Sequence, residues 1–374
     1  MNFDLNEEQQ LVQDSVARFI QDNYSLEQRQ DVIKSKGGFS DEHWRTMAEL
    51  GWYGLTIPEA DGGFGGNQSD TMVIMEQFGK GLVAEPFFAS IVLGAKAVTL
   101  GGSTALKEEI LPGVIDGSRQ LAFGYAEEQS RFDLNDVVTR AQSDGDEYVI
   151  SGQKSMVQNA GSATQIVISA RTDGGQTETN GISLFLLDAN ADGVKINSFP
   201  TVDGLQAAEI ILTDVRVPAS RLLGDAGEGF DILQQVAIDG ILAISAEAVG
   251  AMEMLYKDTV EYTQEREQFD HPLAEFQVLQ HRMVDMFMEC EQAKSLLYRA
   301  TLEVVQSGLG ALRTVHALKH LIGKTGIMIG ENAVQLHGGM GMTEELRVGH
   351  YFKRLLVIDA QFGNSDYHLQ QFAA

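Results

Sequence analysis

A single cysteine, Cys290, stands in 374 residues. That excludes an intramolecular disulfide, a cysteine zinc cluster and a CxxC redox pair. Cys290 lies in an apolar helical run and is expected to be a packed core thiol. Cationic side chains are also scarce, 27 Lys and Arg against 53 Asp and Glu, for a formal net charge of −26. Such a surface repels nucleic acid and anionic membrane, so neither is expected as a partner, and any anionic ligand must be met by local Lys and Arg. No apolar run is expected to span a membrane. Residues 1–10 have neither the basic region nor the apolar core of a signal peptide, and the expected compartment is the cytoplasm. Internal repeats and low-complexity segments are absent as well.

The length permits a sizeable core and more than one domain. Asn6 ahead of Glu7, Glu8 and Gln9 can cap a helix whose apolar stripe is Leu11, Val12, Val16, Phe19 and Ile20. A second helical segment around Trp44 and Met47 ends at Gly51. The run Leu55-Thr56-Ile57-Pro58-Glu59-Ala60-Asp61-Gly62-Gly63-Phe64-Gly65-Gly66 is too glycine-rich for helix or strand, and it lacks the Lys-Ser/Thr ending of a phosphate loop. Helices are expected at 69–79 and 89–100. From Arg119 the period changes to that of strands, at 121–125, 137–141, 147–150, 165–170, 182–187 and 207–212, with a hairpin turn at Asp144-Gly145-Asp146. This middle part reads as an antiparallel β-barrel or sandwich.

After a linker at 224–229 the chain is helical again. Phe276, Leu279, Met283, Phe287, Cys290, Leu297 and Val304 mark one face of a long helix. Helices at 311–336 and 344–358 would complete a four-helix bundle. The fold class is thus α+β multidomain: an N-terminal helical domain (1–118), a middle β-domain (119–224) and a C-terminal four-helix bundle (225–374).

Two stretches carry candidate chemistry. Tyr262-Thr263-Gln264-Glu265-Arg266-Glu267-Gln268-Phe269-Asp270-His271-Pro272-Leu273 breaks two helices, and Pro272 can open the second. An Arg, an amide and an aromatic ring at such a corner can hold a phosphate and a planar ring together. A solvated helix connection is the plainer reading. The second stretch is Gln335-Leu336-His337-Gly338-Gly339-Met340-Gly341-Met342-Thr343-Glu344. Three glycines in four residues let backbone approach a ligand closely, where a simple helix stop needs one.

Arg266-x-Gln268-Phe269 with Pro272-Leu273 and Phe276-Gln277 resembles the Arg-x-Gln-Phe-Gly-x-Pro-Ile/Leu-x-x-Phe-Gln segment of flavin-dependent acyl-CoA dehydrogenases, with Asp270 where Gly is usual. The loop at 58–65 resembles that family's Pro-Glu-x-x-Gly-Gly-x-Gly, and 335–341 its Gln-x-x-Gly-Gly-x-Gly. The resemblance runs along nearly the whole chain. It implies that Arg266, Gln268, Phe269, Gln335, Gly338 and Gly339 meet the pyrophosphate and adenosine half of FAD held by a neighbouring subunit. It also implies α,β-desaturation of an acyl-CoA, with electrons passing to an electron-transfer flavoprotein.

The departures from the family pattern concern the chemistry itself. The stretch matching the family's base-bearing Tyr-Glu-Gly-Thr reads Asp359-Ala360-Gln361-Phe362-Gly363-Asn364-Ser365, so Phe362 stands where the carboxylate would be and cannot accept a proton. Some relatives carry the base on the first bundle helix. There this chain has Ile238-Asp239-Gly240-Ile241, which leaves Asp239 a weak candidate and Asp359 a weaker one. On the flavin side, Ala126-Glu127-Glu128-Gln129-Ser130-Arg131-Phe132 replaces Thr-Glu-Pro-x-x-Gly-Ser-Asp. In Gly152-Gln153-Lys154-Ser155-Met156-Val157-Gln158-Asn159, Met156 and Gln158 replace an aromatic and a hydroxyl. With its Phe362-Gly363-Asn364-Ser365-Asp366-Tyr367-His368 ending, the chain resembles the base-less small subunit of heteromeric acyl-CoA dehydrogenases of the pimeloyl-CoA and steroid side-chain types. A second dehydrogenase-like subunit is the implied partner. The alternatives are a self-sufficient homo-oligomer using Asp239 and a non-catalytic scaffold.

Overall fold

The structure, a computed structural model, describes residues 4–374, so the first three positions of the stretch 1–10 lie outside it. In chain order the helices before the sheet are α1 (Glu7–Asn23), α2 (Leu26–Lys34), α3 (Asp41–Glu49), α4 (Gln68–Gly81), a π-helical stretch Phe88–Ala95 running into α5 (Lys96–Gly101), and α6 (Thr104–Ile115). The strands are β1 (Leu121–Gly124), β2 (Arg140–Asp144), β3 (Glu147–Gln158), β4 (Gln165–Arg171), β5 (Ile182–Asp188), β6 (Val194–Pro200), β7 (Gln206–Pro218) and β8 (Leu222–Leu223). Then come α7 (Phe230–Glu265), β9 (Glu267–Gln268), β10 (His271–Pro272), α8 (Gln277–Ser307), α9 (Leu312–His337), α10 (Arg347–Ala360) and α11 (Ser365–Ala373). Helices, then a sheet, then helices is the expected α+β order.

The chain gathers into two compact units that cut across the three sequence divisions. One comprises Met1–Asp31, Gln68–Val83 and Ile241–Ala374, of which the first three residues are not described, and the other Val32–Asn67 and Ala84–Gly240. In the first unit α8, α9, α10 and the greater part of α7 form the bundle. α11 packs on α9, and α1 on α4. Asn6 caps α1 with a reciprocal bond to Gln9, satisfying two helix-end donors at once. The stripe of α1 narrows to Val16 and Phe19, because Leu11 is 70% exposed. On α8 the buried face is Met283, Met286, Cys290, Ala293, Leu297, Ala300 and Val304. Phe287 turns outward against expectation, edge-on to Tyr256. Cys290 is buried as expected, and burial pushes its thiol up to about 12.

Contrary to the sequence expectation, α7 is long and apolar enough to cross a membrane, but 83% of its apolar window is buried inside the fold. Its apolarity serves the core.

In the second unit one eight-stranded sheet runs β6-β7-β3-β2-β4-β5-β8, with β1 added parallel to β4. The other ladders are antiparallel except for a single parallel bridge between Arg140 and Arg171. Asp144 pairs with Glu147 across the expected turn. β4 is buried along its whole length and β5 along all but Asp188, and together they centre a core of Ile150, Ile166, Ile168, Phe185, Leu187, Ile210 and Val215. The loop at 55–66 is structural, as expected. Gly63 packs so tightly that an added Cβ would land on the carbonyl oxygen of Ile57.

Candidate functional site

Helix α7 ends at Glu265, and the next residues form a two-strand hairpin. β9 pairs with β10 through Gln268–His271 and Glu267–Pro272. Pro272 therefore sits in a strand and does not open the second helix. α8 begins only at Gln277, after a short 3-10 turn. The hairpin tip is Phe269-Asp270, both left-handed at φ +57° and +64°, the pair of positive φ values that a type I′ turn demands. Asp270 thus adopts the conformation for which the family uses glycine. Phe269 is held out, 85% exposed, with an edge-on contact to Phe276.

Arg266 is exposed, and among the described residues its guanidinium has no hydrogen bond or ion pair. In a chain with 53 acidic side chains, a free arginine is a vacant anion receptor, because its planar fork matches phosphate oxygens. Gln268 is exposed too, its amide turned back to the Glu267 carbonyl at 2.8 Å.

The glycine loop comes to the same corner. α9 ends at His337, and Gly338 takes φ +60°, ψ −140°, a conformation open to glycine alone. A Cβ at Gly338 or Gly339 would meet nothing within 4 Å, so both face open space. Gln335 is exposed one turn before. The link between the two segments is the stack of Tyr262 on His337, with ring centroids 4.2 Å apart. The motifs, distant in sequence, thus join through residues that the sequence reading passed over.

Position 362 lies elsewhere in the same unit. Phe362 is buried, with φ +57°, in the turn between α10 and α11. Asp359 is engaged, its Oδ1 accepting from the Ser365 amide at 2.9 Å. Around this turn stand His368, which closes the C-terminal motif read from the sequence, and Lys319, His316 and His320, which the sequence did not single out.

In the second unit Asp239 is buried and occupied. Lys96 Nζ lies 2.9 Å from its Oδ2, and Gln235 donates to its Oδ1 at 3.0 Å. Both oxygens of this carboxylate are thus engaged by neighbouring side chains, which leaves neither open to collect a substrate proton.

The flavin-side frame rests on a buried pair. Lys154 Nζ is 2.6 Å from Glu127 Oε1 and also donates to Ser169 Oγ at 2.9 Å. The amides of Val138 and Thr139 donate to the same carboxylate. Burial pushes the Glu127 carboxyl up, but the Lys154 ammonium and these donors more than offset it and hold it below the ordinary range. Beyond Lys154 the β3–β7 register slips. There Met156 stands out at φ +55°, 55% exposed.

Asn159 remains and ties β3 to β1 through the Leu121 carbonyl at 3.2 Å. Nearby, Arg171 is almost wholly buried and has the carbonyls of Asn135, Val137, Asp173, Gln176, Glu178 and Asn180 within hydrogen-bonding reach. One guanidinium therefore gathers two loops.

A helix–sheet–helix chain thus carries a free arginine and a bare glycine loop at one bundle corner, a setting suited to an anionic, phosphate-bearing ligand. The family descriptions "Acyl-CoA dehydrogenase, N-terminal domain", "middle domain" and "C-terminal domain" match residues 6–118, 122–215 and 227–374. The chain belongs to the acyl-CoA dehydrogenase family, whose members are FAD-dependent oxidoreductases.

The probable acyl-CoA dehydrogenase YngJ of Bacillus subtilis is 30% identical over 371 residues, 98% of this chain and 97% of that one. Among solved structures, the FAD complex of PigA has a TM-score of 0.92 at 26% identity, covering 100% of this chain and 98% of that one. The Tcur3481-Tcur3483 steroid ACAD has a TM-score of 0.89 at 26% identity, covering 98% and 97%. FAD fits what the corner offers: an unpaired guanidinium for its pyrophosphate, an exposed phenyl face and two glycines with open space beside them.

Proposed function

We propose that this chain is the non-base subunit of a hetero-oligomeric acyl-CoA dehydrogenase, which desaturates an acyl-CoA thioester between Cα and Cβ. The observation that supports the reading is a division of labour. Arg266 and Gly338-Gly339 are free and open, whereas Phe362 is buried and Asp239 is bound to Lys96. In this reading residues 225–374 lend the clasp: Arg266 forks onto pyrophosphate oxygens, Gln268 and Gln335 offer amides, Phe269 supplies a flat face, and Gly338 and Gly339 admit backbone close to the dinucleotide.

FAD, when bound, supplies the acceptor for the hydride leaving Cβ. A carboxylate of the second, dehydrogenase-like subunit takes the Cα proton, a role that no free acid at position 239 or 362 of this chain can fill. An electron-transfer flavoprotein is the proposed electron acceptor, and the cytoplasm the proposed compartment. The steroid ACAD among the similar structures supports a bulky acyl group as substrate.

The test is expression of this chain alone and together with a dehydrogenase subunit that retains the glutamate. Acyl-CoA turnover and flavin absorbance are expected in the pair, with both lost on Arg266→Ala. A yellow homo-oligomer of this chain that oxidises acyl-CoA by itself ends the proposal.

A further inference from the structure

The turn 359–365 is fastened from behind by basic side chains. Lys319, buried in α9, donates to the carbonyls of Asp359 at 2.9 Å and Gly363 at 2.8 Å. His320 Nδ1 lies 2.9 Å from the Ser365 carbonyl and His368 Nε2 3.0 Å from that of Phe362. His368 Nδ1 in turn lies 2.8 Å from His316 Nδ1. Phe362 and Gly363, at φ +57° and +116°, hold a backbone shape that an L side chain at 362 does not favour. The turn therefore depends on these donors.

The positions of the protons follow from the partners. A carbonyl can only accept, so His368 carries its proton on Nε2. Its Nδ1 is then a lone pair, and His316 Nδ1 must be the donor. His368 is thus neutral in this arrangement, and burial lowers the His316 pKa as well. A second proton on His368, with His316 keeping its own on Nδ1, would set two N–H groups against each other at 2.8 Å.

The charged and titratable groups around His368 are Arg313, His316, Lys319 and His320 on α9, Asp359 at the end of α10, and Asp366 and Tyr367 on α11 itself. Arg313 lies over the Phe372 ring, Tyr367 is edge-on to His368, and Asp366 is exposed. Asp359, the carboxylate at the start of this turn, is already committed to the Ser365 amide. Nothing in this shell welcomes another positive charge.

We propose that His316, Lys319 and His368 form a proton-gated latch, in which neutral His368 fastens α11 and the 359–365 turn to α9 and protonated His368 releases them. Burial, reinforced by Lys319 and His316, lowers His368 from 6.5 to about 3 in the closed form. The released ring regains its ordinary value, so acid favours release. At about pH 5 the released population is expected to rise ~30-fold over its share at neutral pH. Lys319, lowered by burial to about 8, changes little across that interval. A histidine exposed in both forms would show no such step, because its value would not differ between them.

The experiment is amide hydrogen exchange on the full chain, corrected for intrinsic rates, at about pH 7.5 and about pH 5. Peptides covering 359–373 are expected to open ~30-fold more at the lower pH, while those covering α1 are not. His368→Gln keeps an amide donor and an oxygen acceptor but cannot be protonated. It should hold the turn at both pH values, and His368→Leu should hold it at neither. Nitrogen-15 histidine spectra of the unaltered chain at neutral pH should show His368 as the Nε2–H tautomer. Exchange that does not change with pH, an equal step in His368→Gln, or an Nδ1–H tautomer would each overturn the latch.

Discussion

Tyr262 and His337 lie stacked, their ring centroids 4.2 Å apart and their planes 24° from parallel. Tyr262 stands one helical turn before Arg266, and His337 is the residue before Gly338, so the stack fixes the arginine corner against the glycine loop. His337 is buried, its Nδ1 2.8 Å from the Ala333 carbonyl, and burial lowers its pKa. A neutral ring suits a stacking role.

His337→Ala is therefore expected to weaken FAD binding by the assembled enzyme roughly 2- to 10-fold, the equivalent of a ring contact worth about 0.5–1.5 kcal/mol. His337→Phe should recover most of that. Flavin titration of the reconstituted complex reads the effect, and unchanged affinity in His337→Ala would disconnect the stack from the cofactor.

Helices α4 and α7 meet at two glycines. A Cβ on Gly79 would land on the Glu247 carbonyl, and a Cβ on Gly250 on the Glu76 carbonyl. Backbone cannot step aside as a side chain can, so Gly250→Ala must push the helices apart. That would strain the buried Glu247–Arg354 pair, at 2.5 and 2.7 Å. A loss of about 1–3 kcal/mol or more is expected in urea unfolding. Gly145→Ala, whose Cβ meets nothing but whose φ is +67°, should lose only ~1 kcal/mol. Equal losses would remove the helix contact as the cause.

His43 and Glu85 lie 3.1 Å apart and could pass for an ion pair. Burial raises Glu85 to about 7 and lowers His43, so at neutrality the carboxyl is only about half ionised and the contact is not a full ion pair. The second Glu85 oxygen has no hydrogen-bond partner. An acid whose folded value is raised contributes stability that is fully present below its unfolded value, 4.5, and is lost as pH rises through about 7. Glu85→Gln should thus exceed the parent in stability at about pH 8, by ~3 kcal/mol at most, and lose that advantage near pH 5. Urea midpoints at the two pH values decide it, and an advantage that grows toward acid would reverse the assignment.

The order of helices, sheet and bundle was legible because the apolar period changes from helical to alternating near Arg119 and back after Gly229. Strand β6 escaped notice. It is an edge strand whose side chains are half-buried or exposed, so its apolar signal is weak. α2 and α6 were missed too, α2 because Arg29 is its only buried side chain. At the site, local spacing alone favoured a plain helix connection around Arg266, and it was the resemblance to the family that singled out Arg266, Gln335 and the missing carboxylate at 362. The engagement of Asp239 by Lys96, the stack on His337 and the histidine contacts behind Phe362 were legible by neither route. Each depends on a partner brought in by the fold from a distant part of the chain, and no local pattern encodes that partner.

Arg171 makes its hydrogen bonds to main-chain oxygen alone. Every residue type brings such an oxygen, so the side chains of the loops around it can be exchanged without slackening the knot. Substitutions in those loops can therefore accumulate while the scaffold keeps its shape.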